Sequence, residues 1–591
     1  MLNHYFNKTW VQNLVLASML GLITYYFSFI FHFDYKFNWS VLYSETEYGN
    51  MGKMLLQGLN LTVSISVYSA ILALSLGTLF GLARLSTFKP VYGFATAYVE
   101  FFRNTPLLVQ LFFWNFALPA GLPEELKMKL FELDFEFWVA TLGLGIYTSS
   151  FMAEIIRAGI QSVPKGLLEA SYSSGLTFNQ SLRKVILPLA FREIIPPLGS
   201  EFLNNMKNSS LAMTVGVAEV CWSAQEVEAL TYSGFEATAA ATAIYLTLSL
   251  IIAGFLNLVN ARLKIIGNDG ITMTRRVADI VFFPFLKISG MLSDIFWHLG
   301  KAPVDSRTLS PSAAAWLKVR TNLWSAATLA SKTVFVLFLV GLGYQVFKGL
   351  SSFNYQIIWD NLFALLVWRF PKGGSSEVFM GLGGLSMSIV MATICISVSF
   401  FIGMIVGIGR TSKNRAINIP CLFYIELIRG NPLIMVIFWV YFFVPPMLKI
   451  QLDVFWSATL AMTVFFGAYI AEIVRGGIEN IPPGQVEAAK STGLSYYQTM
   501  RRIILPQALK QMLPALVGLF IAAFKDTSLA YIIGVMELTT AAYSINNRLM
   551  LYPFEIYTTI AVLYFICCYM MSLYARRLER KLSPESVRLA M

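Results

Sequence analysis

The sequence predicts an all-α polytopic membrane protein with about twelve transmembrane helices, arranged as two parallel six-helix halves. Apolar residues make up 56% of the 591 residues and charged residues only 13%, whereas a typical soluble domain carries about 25% charged residues. Apolar runs long enough to cross a bilayer recur along the whole chain. Two similar segments of forty residues start 318 positions apart (469 − 151). We therefore expect the net charge of +11 to lie in cytoplasmic loops rather than on nucleic acid.

Apolar stretches of about 20 residues are the candidate transmembrane helices. In chain order they are Val11–Phe33, Leu59–Ala83, Val91–Leu118, Phe137–Ile160, Ile194–Val220, Thr238–Val259, Thr333–Leu350, Leu385–Gly409, Ile419–Val444, Phe455–Ile478, Leu513–Met536 and Ile556–Tyr574.

Loop charges orient these spans. If the N-terminus is cytoplasmic, the outer loops are acidic, as between Glu124 and Glu136, and the inner loops are basic, as at Arg501 and Arg502. This alternation follows the positive-inside rule and predicts that both termini are cytoplasmic. Ala278–Leu299 is apolar enough to span, but as a span it would invert every later loop. We interpret it as an amphipathic helix on the cytoplasmic surface.

These assignments divide the chain into five segments. Residues 1–57 hold a leading transmembrane helix and an outer loop, and 58–264 form a first core. Residues 265–332 form a cytoplasmic linker with the amphipathic helix. Residues 333–383 hold a second leading helix with its outer loop, and 384–591 form a second core. No cysteine pair has CxxC spacing and the three histidines are scattered, so no metal site is expected.

The internal repeat relates the two cores. Phe151–Ala190 matches Tyr469–Ala508 at 19 positions without a gap. Further upstream the offset is 326, and the eight-residue difference (326 − 318) falls in the outer loop after Pro119. Because each half has six spans, both copies enter the membrane in the same direction. We expect them to be related by an axis along the membrane normal.

The loop after the fourth span of each half predicts two short helices on the cytoplasmic side. Gly175 and Gly493 suit the left-handed position that ends a helix. Thr177 with Gln180, and Ser495 with Gln498, have the spacing of a capping box that begins the next helix. Loops usually diverge between copies, but this loop is among the best matched parts of the repeat.

These loops resemble the EAA loop of ABC importer permeases. In the second half the resemblance rests on Glu487-Ala488-Ala489, Gly493 and Leu505-Pro506. The first half has Glu169-Ala170, Gly175 and Leu187-Pro188, with Ser171 in place of the second alanine. The sequences around Glu100–Gln110 and Glu426–Val436, together with Lys207–Ala212 and Lys525–Ala530, are similar to the polar amino acid (histidine, glutamine and glutamate-type) uptake family.

The resemblance implies a type I ABC importer permease-like fold in a bacterial inner membrane, with two permeases fused in tandem. The implied partners are two copies of an ABC ATPase, an extracytoplasmic amino acid-binding protein, an amino acid substrate and membrane lipid. The residues expected to dock the ATPase are Glu169, Ala170, Gly175, Glu487, Ala488, Ala489 and Gly493. No cofactor is expected on this chain, and ATP and magnesium would bind to the partner ATPase.

The chain lacks a phosphate-binding loop of its own. That loop needs Gly-Lys followed by Ser or Thr, but Gly52-Lys53 precedes Met54 and Gly300-Lys301 precedes Ala302. No catalytic constellation of paired carboxylates, cysteine with histidine, or metal ligands is visible either. We therefore expect a permease that is not itself an enzyme.

Polar runs that interrupt apolar spans near mid-depth are the candidate substrate site. A free amino acid carries an ammonium and a carboxylate, so a dry site needs both signs of charge. The candidate residues are Glu426, Lys525, Asp526, Thr527 and Ser528 in the second half and Glu100, Lys207, Asn208 and Ser210 in the first.

The two candidate runs differ at one acidic position. Asn208 stands where the second half has Asp526, so we expect the second half to hold the better site. Lys525 would then bind the carboxylate, and Asp526 or Glu426 the ammonium. Alternatively, Lys525 and Asp526 neutralise each other and only gate the path, although neighbouring helix residues point about 100° apart.

Two other function classes are open at this point. An ion-coupled secondary transporter with two parallel six-helix halves would need no docking loop, and its charged residues would carry the coupling. A membrane scaffold or signalling protein without transport would not need matched polar runs in both halves.

Overall fold

The computed structural model describes residues 35–263, 311–367 and 381–582, together with a few positions between 12 and 25. The expected amphipathic helix Ala278–Leu299 lies outside the described residues, as does most of the expected first span Val11–Phe33. The part of the chain that the structure describes contains helices and no strand.

The helices are α1 (Met51–Ala83), α2 (Lys89–Asn104), α3 (Leu107–Phe112), α4 (Leu118–Ala120), α5 (Glu124–Phe131), α6 (Phe135–Gln161), α7 (Lys165–Ser173), α8 (Phe178–Ser181), α9 (Leu187–Asn208), α10 (Val220–Thr231), α11 (Gly234–Leu263), α12 (Pro311–Ser351), α13 (Tyr355–Val367), α14 (Gly384–Arg410), α15 (Arg415–Gly430), α16 (Leu433–Phe438), α17 (Val444–Leu448), α18 (Val454–Glu479), α19 (Pro483–Ser491), α20 (Tyr496–Thr499), α21 (Leu505–Asp526), α22 (Leu538–Leu549) and α23 (Pro553–Leu582). Segments with π-helical bonding are Phe113–Ala117, Leu182–Ile186, Trp439–Phe443 and Met500–Ile504, and 3₁₀ segments are Trp39–Leu42, Ser209–Val215 and Thr527–Ile533.

The internal repeat is reproduced helix by helix. The bounds of α2 and α3 recur in α15 and α16 at an offset of 326, and those of α7 to α10 recur in α19 to α22 at 318. Even the π-helical segments fall at equivalent positions. The eight extra residues of the first half correspond to the short helix α5, which has no counterpart among the described residues of the second half. The expectation of two copies of one helical unit is confirmed.

Small residues set the packing inside each half. Gly77 and Gly81 of α1 face α6, and the equivalent Gly403 and Gly407 of α14 face α18. A Cβ atom at Gly407 would lie 2.6 Å from the backbone oxygen of Ala471, so only glycine permits this approach. Small residues spaced by four allow helices to approach closely in membranes, where packing replaces the hydrophobic effect between helices.

Among the described residues, 8 helices are long and apolar enough to cross a membrane, or up to 9 if a bent pair counts as one span. The number twelve stays a prediction because part of the chain lies outside this description. In α6 and α18, 67% and 72% of the residues in the apolar window are buried, the highest shares among the candidate spans. In the span of α12 this share is 0%. The structure therefore has central helices that are covered by the rest of the protein and peripheral ones that are not.

Four expected spans are not single α-helices. Ile194–Val220 and Leu513–Met536 each pass from an α-helix into a 3₁₀ segment, and the other two are broken at a proline. Val91–Leu118 is broken between α2 and α3, and Ile419–Val444 is broken between α15 and α16, where the axis bends by 111°. Pro106 and Pro432 cause the breaks, since each disfavours helical geometry at the residue before it. Thr105 and Asn431 accordingly have ψ angles of 144° and 157°. A hydropathy window averages composition and does not register such a break.

The leading helix of each half packs against the opposite half. Phe335 and Phe338 of α12 contact Phe94 of α2, with ring centroids 6.1 and 6.4 Å apart. In the first half, the side-chain oxygen of Gln12 accepts a hydrogen bond of 3.3 Å from the backbone N–H of Arg415 in α15. Because α2 and α15 are equivalent, the leading helices are exchanged between the halves.

Candidate functional site

Each broken helix ends against a lysine of the other half. Lys525, at the end of α21, donates a hydrogen bond of 2.9 Å to the backbone oxygen of Arg103 in α2. Lys207, its equivalent in α9, donates to the backbone oxygen of Arg429 in α15. The exchange is reciprocal, as expected for two copies related by a two-fold axis. It brings the polar runs of both halves to one place between the halves.

Both polar runs continue as a tight turn after the lysine. The long helix passes into a 3₁₀ segment that ends at Gly216 or Gly534, with φ of 94° and 83°. Inside this turn the Ser210 hydroxyl donates to the Lys207 carbonyl at 2.7 Å, and the Thr527 hydroxyl donates to the Phe524 carbonyl at 2.7 Å. These two hydroxyls therefore bond to carbonyl groups at the end of their own helix.

A small cavity of about 70 Å³ lies between the two turns. Matched residues of both halves line it, including Leu107 with Leu433 and Ser210 with Ser528, so it lies on the pseudo-two-fold axis. A volume of this kind holds about five waters, at roughly 10–15 Å³ for each water. In this conformation the path is constricted here.

A larger cavity of about 1020 Å³ adjoins it. It extends from Asn208 and Asp526 to Arg84, Arg157 and Glu579, which lie at or near helix ends on the predicted cytoplasmic side. The volume is ample for an amino acid. This conformation therefore has an open vestibule on one side of the constriction.

The structure brings together most of the predicted substrate-site residues. The small cavity is lined by Lys207, Asn208, Ser210, Asp526 and Ser528, and the larger one by Glu100, Asn208, Lys525 and Asp526. Two predicted residues line neither cavity. Thr527 is fully buried in its turn, and Glu426 is exposed on α15.

Asp526 is an acidic residue that lines both cavities. Its carboxylate forms no hydrogen bond or ion pair with any residue that the structure describes. Lys525 does not pair with it, because the lysine ammonium lies on the Arg103 backbone oxygen and 3.3 Å from the Tyr147 hydroxyl. The two neighbouring side chains point apart, as the helical angle between adjacent residues requires. Asp526 is only partly exposed, and a partly buried acid without a partner is favourable only when a cation or water accompanies it.

Sequence reasoning missed a second acid in the vestibule. Glu201 lines the larger cavity one helical turn before Asn204, whose amide donates to it at 3.4 Å. The equivalent position in the second half (201 + 318) is Leu519. A search of the repeat for charged residues that lack a charged counterpart would have identified Glu201.

The vestibule wall also carries ion pairs. Glu154 binds Arg84 and Arg157, and Arg103 approaches it to 3.9 Å. The second half has a related cluster, in which Glu472 pairs with Arg475 at 2.6 Å. Both halves therefore have an ion pair between residues three apart along the fourth span.

Glu100 does not pair with Arg103 on its own helix. It binds Arg576 of α23 at 3.1 Å instead. The C-terminal helix is thereby tied to the first half.

The loops after the fourth span of each half have the predicted caps. Gly175 and Gly493 adopt φ of 78° and 76°, and Ser495 with Gln498 forms both hydrogen bonds of the capping box. Glu169, Ala170, Glu487 and Ala488 are exposed, whereas Ala489 is buried. Each loop therefore presents its acidic residue on an accessible short helix.

Comparison with known proteins fits this arrangement. The family described as "Binding-protein-dependent transport system inner membrane component" matches residues 73–265 and 399–584. The chain belongs to this family. It is a multi-pass inner membrane permease with two copies of the family domain.

Relatives of this permease cover its halves. The glutamate/aspartate import permease protein GltJ of Escherichia coli (strain K12) is 36% identical over 241 residues, which are 39% of this chain and 97% of that protein. The probable glutamine ABC transporter permease protein GlnP of Bacillus subtilis (strain 168) is 41% identical over 198 residues, covering 33% of this chain and 90% of the relative.

A longer match and a solved structure complete the comparison. The glutamate/glutamine/aspartate/asparagine transport system permease protein BztC of Rhodobacter capsulatus is 30% identical over 321 residues, 51% of this chain and 72% of that protein. Among solved structures, "Crystal structure of an amino acid ABC transporter with histidines" matches at 32% identity with a TM-score of 0.32, covering 34% of this chain and 92% of that chain.

Proposed function

We propose that this permease is the membrane subunit of an ATP-driven importer of polar amino acids, with both permease halves in one chain. Two copies of a separate ATPase would dock on the cytoplasmic loops of α7 and α19 and supply the ATP and magnesium chemistry. An extracytoplasmic binding protein would deliver the amino acid. Membership of the binding-protein-dependent family and the printed names of the amino acid permeases support this assignment.

The unpartnered carboxylate of Asp526 carries the proposal for the substrate site. It faces both cavities between the halves, where a substrate crossing the constriction must pass. An amino acid ammonium is the complementary charge for it. We assign one shared site, in which the first half contributes Asn204, Asn208 and Glu201 and the second contributes Asp526. This supports the expectation of unequal halves, but it replaces one site in each half with a single site between them.

Orientation follows from the same geometry. The vestibule opens beside the basic helix ends, which the positive-inside rule assigns to the cytoplasm, so both termini would be cytoplasmic. In that orientation the vestibule is the exit for imported substrate. A cysteine introduced at Glu125 should then be labelled from outside the cell and one at Ser174 from inside, and the reverse labelling would reject this orientation.

The substrate site is tested by exchanging the two equivalent residues. In vesicles with the ATPase and the binding protein, Asp526→Asn should lower the uptake rate about tenfold or more, the usual effect of losing a contact to a charged group. Asn208→Ala removes an uncharged residue of the same site at the equivalent position and should lower the rate much less. The double variant Asn208→Asp/Asp526→Asn should recover much of the loss, because both positions line the same cavity.

Equal losses for Asp526→Asn and Asn208→Ala would reject the role of the acid. Normal uptake by Asp526→Asn at limiting substrate would do the same. Failure of the exchanged variant alone would indicate that the site belongs to the second half rather than to both.

A further inference from the structure

The ammonium of Lys525 already has partners within the protein, whereas a ligand for substrate would need a free ammonium. Its side chain is only 4% exposed, and its ammonium donates to the Arg103 backbone oxygen at 2.9 Å and approaches the Tyr147 hydroxyl at 3.3 Å. The rings of Tyr147 and Phe151 lie 5.3 and 5.2 Å from the ammonium, within the range of cation–π attraction. All these partners belong to the first half of the chain.

The helix break explains why a lysine is needed there. The last carbonyls of a helix lack intrahelical partners and carry the negative end of its dipole. At the end of α2, the Gln110 amide donates to the Phe102 carbonyl at 3.0 Å. The next carbonyl, of Arg103, is the one that Lys525 binds. A lysine from the opposite half thus caps a helix that Pro106 prevents from continuing.

The same arrangement occurs in the other direction. Lys207 of the first half donates to the Arg429 backbone oxygen at the end of α15, where Pro432 causes the equivalent break. From this reciprocity we infer that Lys207 and Lys525 are positioning residues that form a latch between the halves. Each holds the broken helix of the other half, and both contacts must release together when the halves separate.

The latch goes beyond the substrate site and differs from the role that the sequence predicted for Lys525. The small cavity between the halves is held closed by these contacts, so loss of the latch favours separated halves whether or not substrate is present. A ligand for the substrate carboxylate would affect the protein only when substrate is bound. This difference decides between the two roles.

The first experiment uses the full chain alone in nanodiscs. Spin labels at cysteines replacing Ser174 and Thr492, equivalent exposed positions on the two cytoplasmic loops, report the separation of the halves, with the native cysteines replaced. In Lys207→Met/Lys525→Met, we expect the mean distance to shift by more than the width of the parent distribution. Each single variant should shift less, because one contact remains.

Two controls separate the latch from general damage. Lys525→Arg keeps a donor and should give the parent distribution. Lys53→Met removes a lysine whose side chain is 74% exposed and should also leave the distance unchanged. A parent distribution in the double variant would overturn the latch.

The second experiment adds the partner ATPase and therefore rests on the proposed function. Without substrate or binding protein, ATP hydrolysis by the double methionine variant should rise about tenfold, the effect of losing a hydrogen bond to a charged group. Unchanged substrate-free hydrolysis, with defects only when substrate is present, would make Lys525 a substrate ligand and overturn the latch. If the parent complex hydrolyses ATP but imports no amino acid, the proposed function fails, whereas the distances still decide the latch.

Discussion

Glu219 and Glu537 are buried carboxylates at equivalent positions, and each caps the outer helix that follows it. Glu537 accepts hydrogen bonds from the backbone N–H groups of Thr539 and Thr540 at 2.8 and 2.9 Å and from the Tyr564 hydroxyl at 3.0 Å. An acid at a helix N-terminus is favoured by the dipole and by the free N–H groups. These glutamates thus hold α10 and α22 against the spans beneath them.

Removing one cap should destabilise the permease measurably. Glu537→Ala leaves buried donors without an acceptor, each costing about 1–3 kcal/mol, so we expect the unfolding free energy to fall by roughly 3 kcal/mol. Glu537→Gln keeps an acceptor and should lose less. Thermal unfolding in detergent, with the exposed Glu125→Ala as control, measures the difference. A melting temperature for Glu537→Ala equal to that of the control would contradict the capping role.

The sequence shows a glutamate at this position in both copies of the repeat, but it does not predict that the glutamate caps a helix. The capped helices are short and lie outside the apolar spans, and the partner hydroxyls of Tyr245 and Tyr564 are more than 20 residues away in the chain. Asp526 and Glu201 can be found in the sequence by a different comparison. Each acid differs from the residue at the equivalent position of the other half, so comparison of the halves indicates an asymmetry. Only the fold shows that both acids line the same cavity.

At the scale of elements, local signals predicted the two short helices after each fourth span well. A glycine that must adopt positive φ and a Ser or Thr with Gln three residues later are chemical requirements that a sequence displays directly. The breaks after α2 and α15 and the exchange of leading helices were not predicted. Hydropathy does not register where a proline bends a span, and the helix against which α12 packs depends on the assembled tertiary structure.

The loop glycines should be sensitive to substitution for a conformational reason alone. A Cβ at Gly175 or Gly493 would meet no atom within 4 Å, so only the positive φ resists a β-branched residue. We expect Gly175→Val/Gly493→Val to lose coupling between ATP hydrolysis and uptake. Gly166→Val/Gly484→Val, in the helices α7 and α19 that precede these glycines and equally free of neighbours, should stay close to the parent. Coupled uptake in the first pair would show that the loop geometry is not required for docking.

For the whole molecule, the sequence predicted the class, the repeat and the short capped helices after each fourth span, because all three depend on local composition and spacing. The single shared cavity could not be predicted, since it arises from the exchange of lysines and helices between the halves. The tandem fusion gives the two halves different residues around one axis. Asp526 and Glu201 can therefore differ from Asn208 and Leu519 in every assembled molecule, which identical subunits would not permit.

The most direct test of this mechanism is uptake of labelled amino acid by the permease reconstituted with its ATPase and binding protein, with ATP and the ion gradients controlled separately. We expect uptake to stop when ATP is removed with the gradients kept, and to continue when ionophores collapse the gradients with ATP present. Asp526→Asn serves as the control for uptake that does not pass through the site. Uptake that follows the ion gradient and persists without ATP would contradict the mechanism and support an ion-coupled transporter.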